Sequence, residues 1–264
     1  MHAERAYRHL TFSQPGVSTV ALVRASVLYE QGRLDEAAAS AEMAEHGFVL
    51  LGHEERRMRA VFLRGSIKYE AGDIENAVTT FRQVLQHGES FDSPRWVARA
   101  SYAIGNCEVE RRNLGEASMA FHTALVIFRE TGPEPERLAT EWGLARVVLH
   151  GGKPTEAVRR LRAIASEFEQ RSLITYAALV RLDIVEALLA EDDMQQIVDL
   201  ATGLFRVFKD AGMITGALTA IAYIKEAAGV GKLTPAGVDA VRTYLRRLER
   251  RPDLMFVPPP DSSR

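Results

Sequence analysis

Ala37, Ala77, Ala117, Ala157 and Ile197 stand forty residues apart, each inside the same local pattern. Five residues before each marker comes a turn residue: Gly32, Gly72, Arg112, Gly152 and Asp192. Seven residues further back comes a small residue or valine: Ala25, Gly65, Gly105, Ala145 and Val185. A fixed period of this size is the signature of stacked repeats, in which each unit touches only its neighbours. The length of 264 residues therefore measures a number of repeats, not a number of cores.

Each unit reads as helix, short turn, helix. In residues 60–69, Val61, Phe62, Ile67 and Tyr69 spread apolar character over more than one face. Such a helix expects neighbours on both sides. Ala71-Gly72-Asp73 breaks it, with Gly72 suited to a left-handed C-terminal cap and Asp73 to the next N-cap. Ile74, Ala77, Val78, Phe81, Val84 and Leu85 then make one apolar stripe. The pattern predicts helix pairs at 16–31 with 34–49, 53–71 with 74–88, and 94–111 with 114–131. Three more fall at 134–150 with 154–170, 172–191 with 194–211, and 213–229 with 235–250. Pro94, Pro133 and Pro154 lie at or just before helix starts, where a missing N–H costs nothing. The fold class is all-α: a solenoid of about six antiparallel helix pairs.

Residues 17–251 are expected to form this solenoid, 1–16 an N-terminal stub or cap, and 252–264 a disordered proline-rich tail. Within the stub, residues 3–12 read as a short helix ended at Pro15-Gly16. It either caps the array or marks a junction with an upstream domain. The sixth pair has a longer loop, residues 229–235, and a last helix with Val238, Val241, Leu245 and Leu248 inward and arginines outward. That is the form of a capping repeat.

Thirty-three basic and 35 acidic residues give a net charge of −2, which does not fit a general nucleic-acid binder. The single cysteine, Cys107, excludes an intramolecular disulfide and a cysteine-based zinc site. No apolar run reaches membrane-spanning length, and residues 1–5 lack the apolar core of a secretory signal. A reducing cytoplasm is the expected location.

The repeats resemble tetratricopeptide repeats. Ile104-Gly105, Ala117, Phe121 and Ala124 match the family pattern, as do Gly65, Gly72, Ala77 and Phe81. The first unit keeps Gly32, Ala37 and Ala44; the fourth keeps Leu144, Gly152 and Ala157 but has Leu161 where an aromatic is usual. The fifth departs furthest, with Asp192, Ile197 and Ala201. The standard unit is about 34 residues, and a forty-residue spacing alone also suits HEAT or armadillo repeats. Six extra residues lengthen each helix by nearly one turn. Long units of this kind resemble those of bacterial signalling and transcription-regulatory proteins that act beside a sigma-factor-related or DNA-binding partner.

The resemblance implies a right-handed superhelix whose concave face, lined by the first helix of each pair, binds peptides or helices. The inward positions are then Arg59, Phe62, Ser66 and Tyr69; Arg99, Tyr102, Asn106 and Val109; Trp142, Arg146 and Leu149; and Leu182, Asp183 and Glu186. In a protein–protein adaptor, Arg59, Arg99 and Arg146 would meet acidic groups or a C-terminal carboxylate. Asn106 would bond a peptide backbone, and Tyr102 and Trp142 would supply contact area. In the alternative reading, Phe62, Tyr102 and Trp142 pack between repeats and the arginines are solvated.

A second function class is the sensor half of a transcription regulator. Its local support is a basic patch of Arg242, Arg246, Arg247, Arg250 and Arg251, of which Arg242, Arg246 and Arg250 share a helix face. No aromatic interleaving accompanies them, so a solvated capping face is favoured over direct nucleic-acid contact. Enzyme chemistry lacks candidates. Gly229-Val230-Gly231-Lys232 and Gly151-Gly152-Lys153 look like pieces of phosphate loops but lack the full spacing. His46 and His53 flank one turn without a metal motif, and no cofactor is called for. Self-association through the terminal repeats is a further alternative, and no membrane partner is expected.

Overall fold

The computed structural model describes residues 15–210, 212, 215–248 and 254–259. Regular structure among them is entirely helical. The helices are α1 (Pro15–Glu30), α2 (Leu34–Leu50), α3 (Glu54–Glu70), α4 (Ile74–Ser90), α5 (Pro94–Glu110) and α6 (Leu114–Thr131). They continue with α7 (Glu134–His150), α8 (Pro154–Gln170), α9 (Ile174–Ala190), α10 (Met194–Asp210), α11 (Thr215–Gly229) and α12 (Pro235–Leu248). The ends lie within two residues of those predicted from periodicity. The short helix expected at 3–12, and Arg250, Arg251 and most of the proline tail, lie outside the described residues.

The turns explain the regularity. A left-handed residue recurs every twenty positions: Gly32, Gly52, Gly72, Asp92, Arg112, Gly152, Ser172, Asp192 and Gly212. Around each of the first eight, the same two backbone bonds close the preceding helix. The N–H of Gly72 donates to the carbonyl of Tyr69 at 3.0 Å, and that of Asp73 to the carbonyl of Lys68 at 2.9 Å. This is a Schellman cap, which satisfies carbonyls that a helix end leaves orphaned. The missing member, Gly132, is extended at φ −89°, ψ 157° because Pro133 follows it. Asp73 does not cap α4 with its side chain as expected; its carboxylate instead accepts from Asn76 Nδ2 at 2.9 and 3.0 Å. Asp193 does cap α10, accepting from the N–H of Gln196 at 3.1 Å.

Two compact units divide the chain, at residues Met1–Thr140 and Glu141–Arg264. In the first, α1 to α6 pack each against the next. Small residues set the contact between paired helices. A Cβ on Gly65 would lie 2.6 Å from the Phe81 ring, and one on Gly105 2.7 Å from the Phe121 ring. The alanine markers Ala37, Ala77 and Ala117 are fully buried. Glu108 of α5 is buried too, accepting from Arg111 Nη1 at 2.8 and 2.9 Å and from Asn113 Nδ2 at 3.2 Å.

In the second unit, α8, α9, α10 and α11 pack in sequence, and α12 contacts α9 as well as α11. Ala157 and Ile197 are again fully buried. Part of the expected free tail is seated here. Phe256 is buried with its ring 5.7 Å from Tyr223 and 5.4 Å from Tyr244, and the Tyr244 hydroxyl donates to the Leu254 carbonyl at 3.1 Å. Apolar burial of an aromatic ring outweighs the loss of chain freedom that a polar tail would retain.

Candidate functional site

The first helix of each pair repeats one face at spacings of three and four residues. On α3 that face carries Glu55, Arg59, Phe62, Ser66 and Tyr69; on α5 it carries Arg95, Arg99, Tyr102, Asn106 and Val109. Forty-residue equivalence therefore places Arg59 and Arg99, and Phe62 and Tyr102, at matching sites.

In the first unit these residues build a cationic patch on an aromatic floor. Phe62 is half-buried, with its ring 5.2 Å from Phe81 and 6.0 Å from Trp96. The Arg99 guanidinium sits over both rings, 5.1 Å from the Phe62 centroid and 5.8 Å from that of Trp96. Such stacking holds a cation while leaving its edge free to donate. Trp96 is buried, and its Nε1 donates to Glu55 Oε2 at 2.8 Å. The other Glu55 oxygen lies 3.7 Å from Arg59 Nε. Burial lowers the Arg99 pKa most, Arg95 lowers it further, and Arg59 adds a smaller push; Glu136 and Glu55 act the other way. Three arginines thus crowd one surface.

Phe62 forms the floor of this patch, as the packing alternative had it, while Arg59 stays exposed. Tyr102 is half-buried with its ring 6.0 Å from Phe121. Asn106 Nδ2 donates to the Tyr102 carbonyl at 3.1 Å, so part of its amide is already engaged within α5. The Tyr69 hydroxyl lies 3.5 Å from Glu110. Trp96, Glu55 and Arg95 were not singled out from the sequence. The only signal was their position: Arg95 and Glu55 are forty residues apart and four before Arg99 and Arg59.

The second unit gathers Trp142, Arg146 and Glu186 with Asp183 and Arg242. Trp142 Nε1 donates to Asp183 Oδ2 at 2.6 Å, and Arg146 Nε lies 3.9 Å from the same oxygen. Arg242 Nη2 donates to Asp183 Oδ1 at 2.9 Å and to Glu186 Oε2 at 2.7 Å. Burial pulls the Arg242 pKa down, but Asp183 and Glu186 outweigh it, and the net shift is upward. This corrects the basic patch predicted on the last helix. Arg242 turns inward to two carboxylates because α12 lies against α9, leaving Arg246 and Arg247 exposed.

Among the described residues no helix is long and apolar enough to cross a membrane. A family model for the tetratricopeptide repeat matches residues 2–47. No curated protein sequence matches the chain. The crystal structure of the apo form of RapI is similar in fold, with a TM-score of 0.60 at 15% identity over 82% of this chain and 83% of that one. Helix pairs at a forty-residue period and glycines seated on the aromatics of the paired helix thus go with a tetratricopeptide match over the first repeat and with a fold similar to that of RapI.

Proposed function

We propose that this protein is a non-catalytic adaptor that binds a peptide or helix of a partner protein along the first-helix face of its repeats. The observation that carries the reading is the Arg99 patch. Arg59, Arg95 and Arg99 lie on one repeated face, with Arg99 held on a rigid floor of Phe62 and Trp96. An acidic side chain or a C-terminal carboxylate docked there would relieve the mutual repulsion and accept directional guanidinium bonds. Tyr102 and Asn106, further along α5, would extend the contact to an apolar side chain and a backbone amide.

Arg146 and Glu186 enter this reading differently. They belong to a network already satisfied within the second unit, so they shape a surface more than they offer open charge. No direct nucleic-acid role is proposed, because Arg242 is engaged. The regulatory setting implied by the long repeats remains part of the proposal, as does a cytoplasmic location.

The test is affinity capture from the source cell with wild type beside Arg59→Glu/Arg99→Glu. Both substitutions fall on a partly exposed face, so folding should survive, as circular dichroism would verify. A protein partner retained by wild type and lost by the variant supports the reading. Equal retention by both removes the groove assignment.

A further inference from the structure

The last helix breaks the order that the second helices of the first unit keep. There α4 packs on α3 and α5, and α6 packs on α5; α4 makes no contact with α1, nor α6 with α3. In the second unit α12 lies on α9, the first helix of the pair before its own. The residues that meet it belong to the face that recurs through the repeats. Glu186 stands in the forty-residue row of Ser66, Asn106 and Arg146, and Trp142 in the row of Phe62 and Tyr102. Arg242 of α12 bonds Glu186 at 2.7 Å, and bonds at 2.9 Å the same Asp183 carboxylate that Trp142 holds. In the first unit those rows are the face on which a partner is proposed to bind.

The contact has the form of a helix docked as a ligand. Val238, Arg242 and Leu245 fall on one stripe of α12, at spacings of four and three. Val238 and Leu245 are buried, and Arg242 brings one cation to two carboxylates. Arg246 and Arg247 stay exposed.

The ends of α12 are closed without α9. The N–H of Gly237 donates to Thr234 Oγ1 at 3.1 Å, which caps the start of α12. The N–H of Lys232 donates to the Ala227 carbonyl at 2.8 Å, which closes α11. Between the two helices runs the link 230–234, with Gly231 left-handed at φ 67°. Leaving α9 therefore unwinds neither helix. The bonds given up are ion pairs that another guanidinium can take, and the Glu186 side chain, 34% exposed, opens the rim of the site to it.

We propose, on the reading that the first-helix face is where partners bind, that this face of the second unit is a docking site for a partner's amphipathic helix with an arginine on its apolar stripe, and that α12 occupies the site until such a helix displaces it. Asp183 and Glu186 select the cation, because a guanidinium bonds both carboxylates whereas an acidic helix meets two like charges. The two units then select opposite chemistry: the Arg99 patch an acidic group, the Asp183–Glu186 pair a basic one.

The probe is a fluorescent peptide of residues 235–248, added to the full chain and read by anisotropy, with hydrogen–deuterium exchange of the chain beside it. Arg242→Glu turns a third carboxylate toward Asp183 and Glu186 and should free α12. That variant should bind the peptide at least tenfold more tightly than wild type. Its α12 amides should lose protection while α8, α9 and α10 keep theirs. Arg242→Gln should move both readouts the same way, by about threefold. A peptide carrying the Arg242→Glu change should bind neither chain. Equal peptide affinity for wild type and Arg242→Glu would overturn the proposal. So would α12 amides that stay protected in both variants, or a freed α12 without peptide binding. Loss of protection across α8–α10 in both variants, or failure of both to fold, would make α12 a fixed part of the core and overturn it too. None of these readouts involves the Arg99 patch, so the capture experiment on Arg59 and Arg99 succeeds or fails separately.

Discussion

Arg242 and Asp183, 59 residues apart in sequence, meet at 2.9 Å in a nearly closed pocket, with the Arg242 side chain 16% and the Asp183 side chain 4% exposed. Glu186 takes a second bond from the same guanidinium nitrogen, and Trp142 holds the other Asp183 oxygen. Every charge in this group is balanced by a directional partner, which is the condition under which burying charge is tolerable.

Removing Arg242 should therefore be costly. Arg242→Ala leaves Asp183 and Glu186 facing each other with only Trp142 and the more distant Arg146 in compensation. Loss of one partner of a buried pair costs about 3–5 kcal/mol. The lower end applies here, since Asp183 keeps the Trp142 bond. Urea denaturation should show this loss, and a drop below about 1 kcal/mol would contradict the buried-network account.

Gly105→Ala should destabilise despite improving helix propensity. A Cβ there would come within 2.7 Å of the Phe121 ring. Overpacking costs about 1–3 kcal/mol, and replacing a mid-helix glycine returns about 1 kcal/mol. A net loss of roughly 1 kcal/mol is expected in thermal melts. The double variant Gly105→Ala/Phe121→Leu should recover part of it, because the smaller side chain vacates the contact.

Cys107 should be inert to thiol reagents in the folded protein. Burial pushes its thiol up to about 12, and Glu108 adds to the effect. A folded-state pKa above the unfolded one means that the native state holds its proton longer. The resulting contribution is fully present below the unfolded thiol pKa, about 8.5, and is lost as pH rises toward 12. Labelling at pH 8 should track global unfolding, and Cys107→Ala should flatten the alkaline fall in stability.

Phe256→Ala should loosen the end of the second unit. The ring fills the space between Tyr223 and Tyr244. Deleting a buried phenylalanine costs about 3–5 kcal/mol in a full core, and this edge site belongs at or below that range. Limited proteolysis should then cut around residues 254–259 sooner than it does in the wild type.

The helix pairs were legible because the signals are local and repeated. Ala37, Ala77, Ala117, Ala157 and Ile197 mark one buried site, and Gly32, Gly72 and Gly152 mark one turn. Even Arg112 and Asp192 take the left-handed shape that their place in the period demands, without the glycine that would make it easy. Arg59, Phe62 and Arg99 were named together because the resemblance to tetratricopeptide repeats implied that they share the concave face. What the period could not supply was a contact that breaks it. Arg242 reaches Asp183 because residues 230–234 form a longer turn than the two- to four-residue links elsewhere, and α12 comes to lie on α9. Helix-face arithmetic read that arginine as solvated. Trp96 was missed for a related reason: its partner Glu55 belongs to the neighbouring pair, and pairing across repeats leaves no mark within either one.

The twenty-residue rhythm of left-handed turns has a consequence for how such a chain can change. Excision from one turn to the second turn beyond it, for instance residues 73–112, would join Gly72 to Asn113 in the same backbone setting and bring one hairpin's outer faces onto the next. The molecule can thus be lengthened or shortened in whole hairpins, like a rule divided into equal marks, and the gene that encodes it has an easy path to gaining or losing binding surface one segment at a time.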